Sequence, residues 1–146
     1  MHPAPANFPF GRQTLAEIGS HIGCLTERRR DLVLVSFGIG GVATELLDDR
    51  AYRAVPLTDV DAADLVAAPR AAPLLNGYRG TRLVAREPLI DLALRLSALA
   101  DDLPEVSALE LRPVLVGPAG TAVTSSTARI GPAVQQHVTR RLHRLH

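Results

Sequence analysis

"LVLVSFGIGGVATELLDDRAYRAVPLTDVDAADL", residues 32–65, holds a strand, helix, strand, helix phrase, and its reading decides the fold. "LVLVSF" is short, β-branched and continuously apolar, the pattern of a buried strand covered on both faces. Gly38, Gly40 and Gly41 follow, and glycine accepts turn conformations that a Cβ resists. "VATELL" can open a helix from that turn, and "AYRAVPL" returns as a second strand. Thr58 with Asp61 three positions on has the spacing of a carboxylate capping box, which predicts a helix over "DVDAADLVAA" stopped at Pro69.

Towards the C-terminus, the clearest helix is expected from about Pro88 to Leu103. Proline suits a first helical position, and Leu89, Leu92, Ala93, Leu96, Leu99, Ala100 and Leu103 fall on one stripe. Asp91 and Arg95 form an i,i+4 pair on the other side. After Pro104, "SALELRPVLV" alternates as a half-buried strand does, and "GPAG" supplies a turn into "TAVTSS". Towards the N-terminus, Pro3, Pro5 and Pro9 make residues 1–12 a lead-in, while Thr14 and Glu17 suggest a short helix over residues 14–25. "ERRRD" reads as a solvated charge run. The expected fold class is α/β (α+β), a small sheet with helices. The expected division is a lead-in over residues 1–30, a folded unit over 31–131 and a basic His/Arg tail over 132–146.

Composition narrows the functions. The 146 residues include 16 Lys+Arg against 15 Asp+Glu, for a net charge of +1, so no overall field draws the chain to nucleic acid or to an anionic membrane. Aromatic residues make up 3 % with no Trp, which leaves little surface on which bases could stack. Every basic residue is Arg, which suits bidentate phosphate contacts and follows equally from a GC-rich genome. Cys24 is alone, so neither an internal disulfide nor a Cys-based zinc site is available. No apolar run is long enough to span a bilayer and no secretion signal is recognisable, so a cytoplasmic location is expected. His137, His143 and His146 lie among arginines without a carboxylate, which is poor chemistry for a metal.

Several stretches in order, "FGIGGVATELLDDRAYRAVPLTDVDAADL", "APLLNGYRG" and "LPEVSALELRPVLVGPAG", give residues 33 to about 131 a resemblance to one family. They resemble the C-terminal lobe of the ATP-grasp portion of ADP-forming acyl-CoA synthetases (acetate–CoA ligases), a module also found fused to protein acetyltransferases. The resemblance implies ATP or ADP bound between two lobes, Mg²⁺ held by side chains on the last strands, and a phosphohistidine elsewhere in the assembly. It places Gly38, Gly40, Gly41, Arg79 and Arg112 at nucleotide-binding positions, Glu45 and Arg53 at catalytic ones, and Glu110 at a metal position.

The residues themselves leave choices open. The glycines either cradle a phosphate with backbone N–H groups or only turn the chain. Arg53 either pairs with Glu45 or binds phosphate oxygens, and Arg79 either meets an anion or makes a contact between lobes. The family has Asn where Arg112 stands. Mg²⁺ takes oxygen ligands at ~2.1 Å, and a guanidinium has no lone pair to offer. Arg112 therefore pairs with Glu110 or occupies the place of the cation. A second Asp is expected in a "DAR" stretch, where this chain has Thr127 on one alignment and Thr124 on the other. The first lobe, the CoA-binding domain and the histidine segment find no room in the sequence.

These departures imply a truncated, degenerate relative without independent catalysis. It would work with a CoA-binding or ATP-grasp partner subunit, or as a homo-oligomer. A structural or regulatory interaction module docking such a partner is the alternative, and a third reading keeps an active enzyme in which Arg112 replaces the cation.

Overall fold

The computed structural model describes residues 21–29 (by backbone), 32–40, 46–77, 83–117 and 120–132. Among these, strands β1 (His21–Arg29), β2 (Leu32–Gly38), β3 (Arg50–Ala54), β4 (Val106–Gly117), β5 (Gly120–Val123) and β6 (Ser126–Ile130) form one sheet in the order β3-β2-β1-β4-β5, with β6 also on β4. The pairings are antiparallel. Helices α1 (Asp59–Ala67) and α2 (Glu87–Asp102) and a 3-10 turn (Ala72–Asn76) complete the described elements. The architecture is α+β, as expected. No helix among the described residues is long and apolar enough to cross a membrane.

The two helices pack on one face of the sheet. Val35 and Phe37 of β2, Ala51 of β3 and Leu111, Val114 and Val116 of β4 share one core with Leu65 and Val66 of α1 and Leu89, Ala93 and Leu96 of α2. Burying a side chain of this size fully stabilises by about 1.5–3 kcal/mol. The alternation of β2 then sends Leu32, Leu34 and Ser36 to the far face, where Leu32 is exposed, Leu34 half-buried and Ser36 buried. The strand is thus covered fully on one side only.

One expectation is corrected. A helix over residues 14–25 is not what residues 21–25 adopt: they belong to β1, which pairs with β2 on one side and β4 on the other. Two ladders of backbone hydrogen bonds outweigh the weak local capping signal, since tertiary pairing overrides propensity. Residues 27–29 of the charge run lie in the same strand. The sheet accordingly draws on residues that the sequence reading gave to the lead-in, and residues 14–20 lie outside the described part.

α1 begins as its sequence predicts. The Thr58 hydroxyl accepts from the Asp61 N–H at 3.2 Å, and the Asp61 carboxylate accepts from the Thr58 N–H at 2.9 Å and from its hydroxyl at 2.6 Å. α2 starts with proline in its first turn and carries the Asp91–Arg95 pair at 2.7 Å. Its stripe includes Ser97, buried because its hydroxyl accepts the Leu57 N–H at 2.8 Å and ties α2 to the segment entering α1.

Within β4 the alternation slips. Residue 22 pairs with Val114 and residue 24 with Leu111, so Arg112 and Pro113 together oppose residue 23. This bulge moves the core-facing set from Leu109 and Leu111 to Val114 and Val116. It leaves Glu110 and Arg112 on the far face.

Candidate functional site

The far face of β4 and β6 gathers the chemistry. Glu110 stands opposite Thr127 in the β4–β6 register, and Ala108 stands opposite Arg129. Directly opposed residues of an antiparallel pair project to the same side, so Thr127 and Arg129 share the face of Glu110. Arg112, two residues along β4, brings its guanidinium to 3.8 Å from the Glu110 carboxylate, with the two side chains 43 % and 42 % exposed. The same row continues across the sheet through residue 25 and Ser36 to Tyr52.

In this register Thr127, not Thr124, is the partner of Glu110. Thr124 spends its hydroxyl on the Pro113 carbonyl at 2.9 Å. Thr127 lies directly across from Glu110 on the neighbouring strand. The donors then fail to fit Mg²⁺: one carboxylate already facing a guanidinium, one hydroxyl, and arginines on either side of the pair. That set offers one carboxylate, shared with a guanidinium, and one neutral hydroxyl, so most of the oxygens around a Mg²⁺ here would have to come from water or phosphate. Among the described residues no group of three or more His, Cys, Asp or Glu side chains could hold a metal ion.

The other predicted residues that the structure describes lie on other elements. Gly38 ends β2, and Gly40 has φ 77°, the left-handed region where a Cβ is strained, so the turn requires glycine there for backbone reasons alone. Gly41, Glu45 and Arg79 lie outside the described residues. Arg53 is the register partner of Val35, which puts it on the helix side, away from Glu110. There it donates to the Tyr52 carbonyl at 2.9 Å. The Asp61 carboxyl is held below the usual aspartate range by the Thr58 hydroxyl and N–H, and to a lesser degree by the charge of Arg53. Asn76 and Gly77 do form a turn, with Gly77 at φ 78° closing the 3-10 segment. Arg129 is the residue that sequence reasoning passed over. Its signal was the alternation of "STARI", which sends Thr127 and Arg129 to one face.

A groove of about 520 Å³ lies apart from this face, at the β3 edge, between Asp48, Asp49, Arg50 and Arg70. The Asp49 carboxylate accepts the N–H groups of Arg70 and Ala71 at 2.8 and 2.9 Å, which makes it a structural tie.

Comparison with known proteins assigns this arrangement. The family model described as "ATP-grasp domain" matches residues 33–130. The acetate–CoA ligase [ADP-forming] II subunit beta of Pyrococcus furiosus is 35 % identical over 97 residues, covering 66 % of this chain and 41 % of that protein. The acetate–CoA ligase [ADP-forming] I of Archaeoglobus fulgidus is 37 % identical over 101 residues, covering 69 % of this chain and 15 % of that protein. Among solved structures, the dinucleotide-forming acetyl-coenzyme A synthetase 1 of Ca. Korarchaeum cryptofilum, in complex with coenzyme A and Mg-AMPPCP, superposes with a TM-score of 0.73 at 29 % identity. That match covers 77 % of this chain and 53 % of the synthetase chain. This chain therefore spans at most about half the length of these relatives. With matching order, matching fold and a family model over most of the described sheet, the chain belongs to the ATP-grasp domain family.

Proposed function

We propose that this chain is a nucleotide-facing lobe of an ADP-forming acyl-CoA synthetase system, binding ATP or ADP weakly on its far face and giving no turnover by itself. The observation that carries the reading is the placement of Glu110 and Thr127 as register partners with Arg112 beside them. The positions at which the resemblance puts metal ligands are neighbours in space, so the scaffold of the site is kept while its ligand chemistry has changed. The other lobe and the histidine would lie elsewhere in the assembly, a CoA-binding or ATP-grasp partner chain being one source. Two of the relatives being beta subunits supports that division of labour. By the resemblance, Gly38, Gly40, Gly41 and Arg79 would contribute phosphate contacts in the assembly, and Glu45 a catalytic group. Arg53, on the helix side, would act structurally.

Titration calorimetry with ATP and ADP, paired with a ligase assay using acetate and CoA, tests this. Weak heat at about millimolar nucleotide and no ligase turnover without added partner chains are expected. Absence of heat at every nucleotide concentration would remove the binding claim, and turnover by the purified chain would remove the claim of dependence.

The second reading, an interaction module, is favoured by Leu32 and Tyr52, which are 48 % and 47 % exposed and stand on the far face. Light scattering discriminates: a strict monomer that gains no mass when a CoA-binding subunit is added argues against it.

A further inference from the structure

We infer that the far face around Glu110 is an anion site that works without a divalent cation, in which Arg112 and Arg129 meet the charge of a phosphate-bearing ligand and Glu110 orients Arg112. The inference deepens the nucleotide-lobe reading and rests on it. It starts from charge. Glu110 and Arg112 face each other at 3.8 Å on β4, and the ladder puts Arg129 on the same face, one row along on β6. Among the described side chains here, two guanidiniums and one carboxylate sum to one positive charge, with the Thr127 hydroxyl between them as a neutral donor or acceptor, while the β1–β4 ladder also sets Glu27 opposite Ala108 in the row of Arg129.

A divalent ion brought to Glu110 would meet, among the described side chains, one carboxylate that a cation already shares and a second cation nearby. Repulsion and the shortage of oxygen ligands both act against it. An oligophosphate meets the reverse: planar donor forks suited to two oxygens at once, in an arrangement that needs no bridging metal. Because the Glu110 and Arg112 side chains are about two-fifths exposed, the attraction is screened, and binding is modest and falls with salt. The Glu110–Arg112 pair restrains the guanidinium, which lowers the ordering cost of capturing the anion. The disagreement with the metal chemistry of the family thus becomes a property of this chain.

The test follows backbone amide NMR shifts during titration with inorganic tripolyphosphate and with ADP, each in EDTA and in excess Mg²⁺. A separate titration with Mn²⁺ alone is read by relaxation enhancement. Both anions should shift amides of β4 and β6 equally well in EDTA, and Mn²⁺ should leave those amides unbroadened. Arg129→Gln, at an exposed position, should weaken tripolyphosphate by about two- to fivefold. The pair Arg112→Asn with Thr127→Asp should gain Mn²⁺ broadening at β4 and β6. Should that double variant not fold, Arg129→Gln and the EDTA comparison still decide. ADP binding that requires Mg²⁺ overturns the inference and leaves the nucleotide reading standing. No binding in any arm overturns both. Shifts confined to other strands, or an Arg129→Gln variant that binds as tightly as the parent, also overturn the inference.

Discussion

Ser97 interrupts the apolar stripe of α2, yet it is 3 % exposed, because its hydroxyl answers the Leu57 N–H forty residues away. Ser97→Ala should leave that partly buried donor unmet and cost about 1–3 kcal/mol, measured by urea unfolding; a loss of only a few tenths would mean that water replaces the hydroxyl. Nothing in the sequence marks this bond, since its two ends belong to separate elements that only the fold brings together. The Thr58–Asp61 box is the opposite case, legible because its partners are three residues apart. Its hydrogen bonds lower the Asp61 pKa, so the stability it contributes is present above about pH 4 and is lost as the pH falls through the lowered folded-state value. Thr58→Ala should raise the Asp61 titration towards the ordinary range, seen by NMR of the carboxyl. The stability gap between the two proteins should narrow in acid. A gap that widens there would contradict the linkage.

Elements were readable where local chemistry and tertiary pairing agree. β2, β3, α1, α2 and β4 all fall where hydrophobic period, caps and prolines place them. β1 was not, because the Thr14/Glu17 spacing argues locally for a helix and Gly23 favours no regular element, and its strand state comes from neighbours on both sides. The slip at Arg112 and Pro113 was equally hidden: it depends on register against residue 23, which no one-strand pattern contains. At the candidate site, the departure of Arg112 from the family's pattern was visible from the sequence, whereas the pairing of Thr127 with Glu110 and the presence of Arg129 on that face required the β4–β6 ladder. The turn after β2 offers a clean test at this scale. Gly40→Ala must hold an L-residue at φ 77° and should destabilise by about 1–2 kcal/mol, measured by thermal unfolding. An unchanged Tm would show that the turn relaxes to negative φ.

For the molecule as a whole, the sheet is organised about a strand that the family model, matching residues 33–130, does not include. Deleting residues 1–29 should therefore give a product that is insoluble or binds a hydrophobic dye, even though the deletion stops short of the family-like segment. A soluble, cooperatively melting product would refute this. The physical reason lies in β1, whose backbone answers β2 on one edge and β4 on the other. Remove it and two rows of amide and carbonyl groups lose their partners in mid-sheet, each a template for joining a foreign strand. The bounds of the family model and the frontier of folding differ by the width of that one strand, and a cut made along the first would tear the second.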